Sequence, residues 1–523
     1  MADTRILFVS SNGTGLGHLT RSMAIARRLD SGVESLFVTL SRAAPVVREM
    51  GFPVEYMASH GSPTAGSDLR WSRRMTARLR TAFAEVKPDL LVFDGILPYD
   101  PLLATMRSVP ATVWCRRGLW QSGASTAPLT RSDLFDAVLE PGDFADSADE
   151  GPTAARRGEA HRVPPVVFLE DSELMPRAEA ARELGLDPGR PTILVQLGQG
   201  PEVAAATARS LRSLVSAGDV QVAAASSAIA GLLDVPEGIV HLQSTYPMSR
   251  YYAAFDGAVA AAGYNGFHEA VRFGVPTLFI PMRRETDDQA TRARYAASKG
   301  VGLAVDGPSD ERIEDRLGEL LDAGRREAMR ERLQALRPDN GASEAARWLE
   351  TLLARSRGGL STHNVPNPPL GDGSSPRSPL RARSARAWVF VRTMPRTLVR
   401  LAKQTLTLPR PTTVVLALGA DEAAVRDALN RAEELPERVL VVTDSLALGD
   451  VWRAGTGVEH IPASGERQAE LAGADYQEFR RRRLGLILAG RPRFRRAIPA
   501  GDVPDELIAV ATSPRRIRAR LLA

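Results

Sequence analysis

The stretch from Gly257 to Pro281 constrains this chain more than any other. Gly257-Ala258-Val259-Ala260-Ala261-Ala262 is small and apolar throughout, as a strand covered on both faces must be. Gly263-Tyr264-Asn265-Gly266 follows at once, and its two glycines allow a tight turn that brings backbone N–H groups close to a ligand. The pattern predicts a helix from near Asn265 that carries Glu269 in about its first turn and stops at Gly274-Val275-Pro276. A second strand is expected from Thr277 to Ile280, leading on to Asp287-Asp288-Gln289 and Arg292-Ala293. A strand, a glycine turn and a helix N-terminus form a phosphate cradle, because the free N–H groups and the helix dipole both favour negative charge. Glu269 has the chemistry to accept hydrogen bonds from a ribose diol, and Asp288 with Gln289 from sugar hydroxyls. Each piece alone is an ordinary βαβ unit; all of them in order within one short stretch argue for a single ligand site.

The order G-Y-N-G-x-x-E, G-V-P, D-D-Q resembles the donor-binding signature of two-domain (GT-B) nucleotide-sugar glycosyltransferases. It is most similar to the family 28 type, which includes the bacterial enzyme adding N-acetylglucosamine to lipid I. The resemblance covers roughly the first 355 residues. It implies an α/β fold of two doubly wound Rossmann-like domains, with residues 1–160 on the acceptor side and 161–357 binding the donor. The implied donor is a nucleoside diphosphate sugar, UDP-linked, with its diphosphate at Gly263, Tyr264, Asn265 and Gly266, its ribose at Glu269 and its sugar at Asp288 and Gln289. The implied reaction is direct displacement with inversion onto an acceptor hydroxyl, the acceptor being lipid-linked or a glycan. No cofactor is expected, and no Asp-x-Asp or His/Cys cluster suggests a metal. Two rivals stay open: a nucleotide-sugar 2-epimerase of the same fold, and a non-catalytic nucleotide-sugar sensor.

In the first domain, Ile6 to Val9 reads as a strand and Leu19 to Leu29 as a helix. The glycines of Ser11-Asn12-Gly13-Thr14-Gly15-Leu16-Gly17-His18 between them are not spaced as in a dinucleotide loop. The loop is similar instead to the first glycine-rich loop of the family 28 enzymes, in which a histidine closes the loop near the acceptor, so Gly15 and Gly17 are candidate ligand contacts. An imidazole at the carboxyl end of a first strand is placed to take a proton from an attacking hydroxyl, which makes His18 the candidate base. The other reading makes His18 a helix N-cap. Further strands are expected at Ser35 to Leu40, Pro53 to Tyr56, Leu90 to Phe93 and Ala111 to Cys115, an alternation with helices that predicts a parallel doubly wound sheet. Asp94 ends the domain's fourth expected strand, Leu90 to Phe93, at the same edge as His18, as its partner or as a plain turn residue. Arg116-Arg117, beyond the fifth, are candidates to face the cleft and meet a phosphate.

In the second domain, Pro164-Pro165 and Glu170-Asp171 suggest the crossing between domains. Strands are expected at Thr192 to Gln196, Val220 to Ala224, Ile239 to Gln243 and Gly302 to Val305. Gly198 and Gly200, at the exit of the first of these, match the family loop that closes over the donor diphosphate. Tyr246 falls where the family holds the nucleobase; base stacking and interdomain packing are both open for it. Ala342 to Ala354 fits a final helix crossing back to the first domain, as in this fold.

At 523 residues the chain is too long for one core, and three domains are expected. Residues 358–410 read as a flexible basic linker, rich in Gly, Ser, Pro and Arg up to Ser384 and carrying Trp388-Val389-Phe390 beyond it. Residues 411–523 read as a small α/β domain without a recognisable catalytic constellation. A net charge of +5 suggests acidic substrates or an anionic membrane surface rather than nucleic acid. The helix expected over Arg70 to Arg80 carries arginines opposite an apolar stripe; its basic face is either simply solvated or lies on a membrane that supplies the acceptor. The single cysteine, Cys115, suits a reducing compartment. With no signal peptide or spanning segment expected, the chain reads as cytoplasmic, with peripheral contact at the inner face of the membrane as an extension of that reading.

Overall fold

The computed structural model describes residues 4–11, 16–198, 201–226, 236–243, 245–357, 411–446, 455–489, 491 and 494–512. Gly15, Gly200 and the linker expected over 358–410 lie outside them.

Three parallel sheets organise the chain. The first holds β1 (Thr4–Ser10), β2 (Val33–Thr39), β3 (Val54–Tyr56), β4 (Leu90–Asp94), β5 (Ala111–Cys115), β6 (Ala137–Pro141) and β7 (His161–Val163), in the order β3-β2-β1-β4-β5-β6-β7. The second holds β8 (Thr192–Gln196), β9 (Gln221–Ala225), β10 (Val240–Leu242), β11 (Gly257–Ala260), β12 (Thr277–Phe279) and β13 (Leu303–Ala304), in the order β10-β9-β8-β11-β12-β13. The third holds β14 (Thr412–Ala417), β15 (Arg438–Thr443), β16 (Gly457–His460) and β17 (Phe494–Pro499), in the order β16-β15-β14-β17. The central strands are largely apolar because helices cover both faces. Ile6 and Phe8 enter one core while Leu7 and Val9 enter another on the opposite face. Ile193 and Val195 are divided from Leu194 in the same way.

Each sheet reverses its order beside its first strand, and at such a switch point the crossovers leave in opposite directions and open a crevice at the carboxyl ends. In the first sheet the reversal lies between β1 and β4, which pair with Ser10 opposite Asp94. In the second it lies between β8 and β11, which pair with Gln196 opposite Ala260. The helix Ala342–Arg357 returns to the first domain, where Ala342, Ala346, Leu349 and Leu353 share a core with Ile6 and Phe8.

Two expectations need correction. The first sheet runs on through β6 and β7 to Val163, past the boundary expected at residue 160. These strands escape a pattern search because β7 has three residues and β6 buries a charge, Glu140, against Arg116. The second correction concerns the basic helix, observed as Asp68–Val86. Arg73 and Arg80 are exposed, but Arg74 and Arg78 are buried. Arg78 binds Glu55 at 3.0 Å and also Glu459 of the third domain. Neither Arg74 nor Arg78 is available to a membrane.

The third domain thus docks on the first. Arg483 reaches Glu55 and Glu85 at 3.0 and 2.8 Å, Arg482 reaches Glu85 at 2.6 Å, and Arg467 pairs with Glu34. Arg491 binds Glu459 at 2.7 Å and the Thr64 carbonyl at 2.8 Å. Gly457 is required here, since a Cβ on it would collide with the Thr64 side chain. The basic cluster around Arg480 to Arg483 is interface on its inward side, with Arg480 and Arg483 buried. Among the described residues no helix is long and apolar enough to cross a membrane.

Candidate active site

β1 ends at Ser10, and the helix Gly17–Ala26 starts with Gly17 and His18. Leu16 occupies the N-cap and makes no side-chain capping bond, so the capping role for His18 is excluded. Instead the ring turns to β4, with Nδ1 2.6 Å from Asp94 Oδ1. Arg21, one turn further along the same helix, binds that carboxylate through Nη2 at 2.6 Å and Nε at 3.1 Å. Arg21 Nη2 also lies 3.1 Å from His18 Nδ1. The shorter contact decides the tautomer: Nδ1–H donates to Asp94, which leaves Nε2 as the open lone pair.

Burial pushes the His18 pKa below its ordinary value against the pull of Asp94, and the charges of Arg21 and Arg117 add to the lowering. Burial alone would raise Asp94, but Arg21 and then His18 hold it below the usual carboxylate range. The result at neutral pH is a neutral imidazole oriented by a buried carboxylate, the arrangement a general base needs. A hollow lined by His18, Arg21, Asp94, Cys115, Arg117 and Trp120 lies in front of it. The floor needs Gly95, because a Cβ there would meet Phe93 at 2.5 Å.

Of the two arginines after β5, Arg116 is buried, with its guanidinium held by Glu140 and Glu159 while its side chain lines the same hollow. Arg117 also lines the hollow, and its Nη1 binds Asp287 Oδ1 of the second domain at 2.5 Å.

Across the cleft, Gly263 caps the helix Tyr264–Arg272, and Asn265 Nδ2 donates to the Gly17 carbonyl at 3.2 Å. This bond joins the two glycine loops, while the buried Asn265 Oδ1 has no hydrogen-bond partner among the described residues. A Cβ on Gly266 would meet no atom within 4 Å, and Gly263 lies against the Gln289 amide. The Tyr264 side chain is engaged within the chain: its buried hydroxyl accepts from Val166 N at 3.0 Å and donates to Gly142 O at 2.9 Å. It fastens the helix to the interdomain crossing. Glu269 sits in the second turn rather than the first and is 9% exposed. Burial raises its pKa to about 7, against the Ser249 hydroxyl and the Phe168 amide that face it. Tyr246 bonds Thr20 at 3.0 Å and packs its ring on Phe168, which is the interdomain packing role. Gly198, at φ +95, follows β8 in a backbone conformation that favours glycine.

The sugar segment is also already bonded. Asp288 caps the helix Gln289–Ser298 by accepting from the Thr291 amide at 3.0 Å and its hydroxyl at 2.8 Å. Gln289 accepts from Met282 N at 2.9 Å and donates to Asp287 Oδ2 at 3.1 Å. The buried Arg292 gathers the rest, binding Asp143 of the first domain at 2.8 Å, Asp287 at 3.2 Å and the Ala262 carbonyl at 2.6 Å. Arg21, Asp143 and Asp287 carry the site's charge network, and the sequence reading gave none of them a separate role. Only Arg21 left a signal, lying three residues after His18 on the same helix face.

Two parallel sheets with switch-point crevices, one carrying the His18–Asp94 pair and one a helix N-terminus, define a GT-B architecture. Residues 232–347 match the glycosyltransferase family 28 C-terminal domain. A UDP-N-acetylglucosamine–N-acetylmuramyl-(pentapeptide) pyrophosphoryl-undecaprenol N-acetylglucosamine transferase from Paenarthrobacter aurescens is 30% identical over 316 residues, covering 57% of this chain and 82% of its own. The enzyme of the same name from Nocardioides sp. is 29% identical over 322 residues, covering 57% of this chain and 84% of its own. The crystal structure of Acinetobacter baumannii MurG is 15% identical with a TM-score of 0.45, covering 66% of this chain and 99% of its own. The chain belongs to the family 28 glycosyltransferases.

Proposed function

We propose that the chain transfers a sugar from a UDP-linked donor to an acceptor hydroxyl with inversion, His18 acting as the base. The contact between His18 and Asp94 carries this reading, because it engages Nδ1 and leaves Nε2 as the open lone pair of a ring that lines the hollow. The acceptor oxygen attacks the anomeric carbon and its proton passes to His18 Nε2. The bond from that carbon to the β-phosphate oxygen breaks, and its electron pair leaves with the diphosphate. Gly263 to Gly266 meet the diphosphate through backbone N–H groups, Glu269 takes the ribose, and Gln289 with Asp288 the sugar, once donor displaces their present partners. The helix N-terminus and arginines supply the charge that a metal supplies elsewhere.

The donor is UDP-N-acetylglucosamine and the acceptor a polyprenyl diphosphate glycolipid, by analogy with the named relatives. The chain then works at the cytoplasmic face of an anionic membrane, reached as a peripheral protein. The test measures UDP release from a panel of UDP-sugars, with and without a polyprenyl diphosphate glycan, in EDTA. Acceptor-dependent release that His18→Ala abolishes is expected. Isomerisation of the donor without acceptor supports the epimerase instead, and binding without turnover on any acceptor supports the sensor.

A further inference from the structure

The surroundings of Arg117 give it a role beyond the donor contacts proposed above, although that role rests on the same donor reading. We propose that Arg117 is an exchangeable cation, held by Asp287 until donor binds and then transferred to the β-phosphate, where it stabilises the departing diphosphate.

The other arginines of the site are fixed in place. Arg21 is bound twice by Asp94, and Arg116 is enclosed by Glu140, Glu159 and Ser132. Arg292 is 0% exposed and is bound by Asp143, Asp287 and the Ala262 carbonyl. Arg117 instead pairs with Asp287 and keeps a side chain 10% exposed in the hollow beside His18. Asp287 does not depend on it. That carboxylate keeps Arg292 on Oδ1 and the Gln289 amide on Oδ2 when Arg117 leaves.

The Arg117 guanidinium lies 6.0 Å from the ring centre of Tyr264, whose backbone opens the donor helix. The backbone around it is built for this position. Leu119 adopts φ +52, a conformation costly for a branched residue, and its carbonyl accepts from Asp288 N at 3.1 Å. Gln121 N donates to Thr286 O at 2.8 Å, so the loop carrying Arg117 is stitched to the segment carrying Asp287. Both ends of the exchange are therefore held in register while the side chain alone moves.

As the anomeric bond breaks, the electron pair stays on the β-phosphate oxygen, and a guanidinium there offsets the charge that develops. Its movement also frees one lone pair of Asp287 for a sugar hydroxyl. Removing one such donor lowers turnover by about 10²–10³-fold in comparable sites.

The experiment titrates the full chain with UDP and with UMP by calorimetry and measures turnover with the UDP-sugar. Arg117→Met should weaken UDP by at least about tenfold, leave UMP unchanged and lower kcat far more than it raises KM, with Arg117→Lys restoring part of each. Asp287→Asn should tighten UDP, because it loosens the competitor, and the gain should vanish in the double variant. Equal loss of UDP and UMP in Arg117→Met would make the pair a domain clamp and overturn the proposal. So would weaker UDP binding in Asp287→Asn, or an unchanged kcat in Arg117→Met. If the wild-type chain binds neither nucleotide, the donor reading itself fails; wild-type binding with an indifferent Arg117→Met defeats only the exchange.

Discussion

Glu269 is the residue at which stability and ligand binding oppose each other most directly. The residue is 9% exposed, in a wall that includes Tyr246 and Tyr252, and burial raises its pKa from 4.5 to about 7. A folded-state pKa above the unfolded value means the protonated form is the one the fold prefers. The contribution is complete below pH 4.5 and is lost as pH rises through 7. Carrying the ionised carboxylate at pH 8 therefore costs about 3 kcal/mol, by ~1.4 kcal/mol for each tenfold change in proton affinity. Glu269→Gln keeps the shape and the acceptor that faces the Phe168 amide, and it removes the charge. The second domain should then melt roughly 6–12 °C higher at pH 8, by the usual scaling for a domain of this size. At pH 5 the gain should shrink to under about 1 kcal/mol, because the wild-type carboxyl is then protonated when folded. Differential scanning calorimetry of both chains at the two pH values measures this. A Gln variant no more stable than wild type at pH 8 would refute the reasoning, since it would show the carboxylate to be fully solvated or paired. The same variant should bind UDP more weakly, as it loses a charged acceptor for the ribose diol worth roughly 1.5–3 kcal/mol. Gain in stability with loss of affinity is the signature of a group kept for its ligand.

His18→Ala should lower turnover by roughly 10²–10⁴-fold and leave UDP affinity nearly unchanged in calorimetry, the expected loss for a general base. Because burial holds the His18 pKa below 6.5, the wild-type rate should be flat above neutrality and fall only in the acid limb, which a pH–rate profile reads. Turnover should survive EDTA; a requirement restored by Mg²⁺ or Mn²⁺ alone would defeat the proposed charge handling. Glu459→Ala strips Arg78 and Arg491 of a buried carboxylate and should cost about 3–5 kcal/mol in urea denaturation. A chain truncated after Arg357 should melt lower than the full chain, since it uncovers Glu55 and Glu85; equal melting temperatures would show that the third domain adds nothing to the first.

Contiguous runs and turns were legible without a structure. Thr192–Gln196 and Ala111–Cys115 are strands over the residues their apolar runs mark, and the helix after Gly263 begins within a residue of its expected start. Such signals survive in a sequence because strand burial, glycine turns and helix stops are set by neighbours a few residues apart. The placing of His18 and Asp94 at one edge was legible too, since parallel topology sends the ends of successive strands to the same side.

Partnership was not legible. His18 and Asp94 are 76 residues apart, Arg117 and Asp287 170 apart, and Arg483 and Glu55 428 apart. An arginine pattern on one helix looks the same whether its face meets water, lipid or another domain, so the docking of the third domain on Asp68–Val86 was invisible. Tyr264, Asp288 and Gln289 have the chemistry of ligand groups, yet each is bonded within the chain. Residue type determines which bonds a side chain can make; only the tertiary structure decides which partner, brought from far along the chain, takes them.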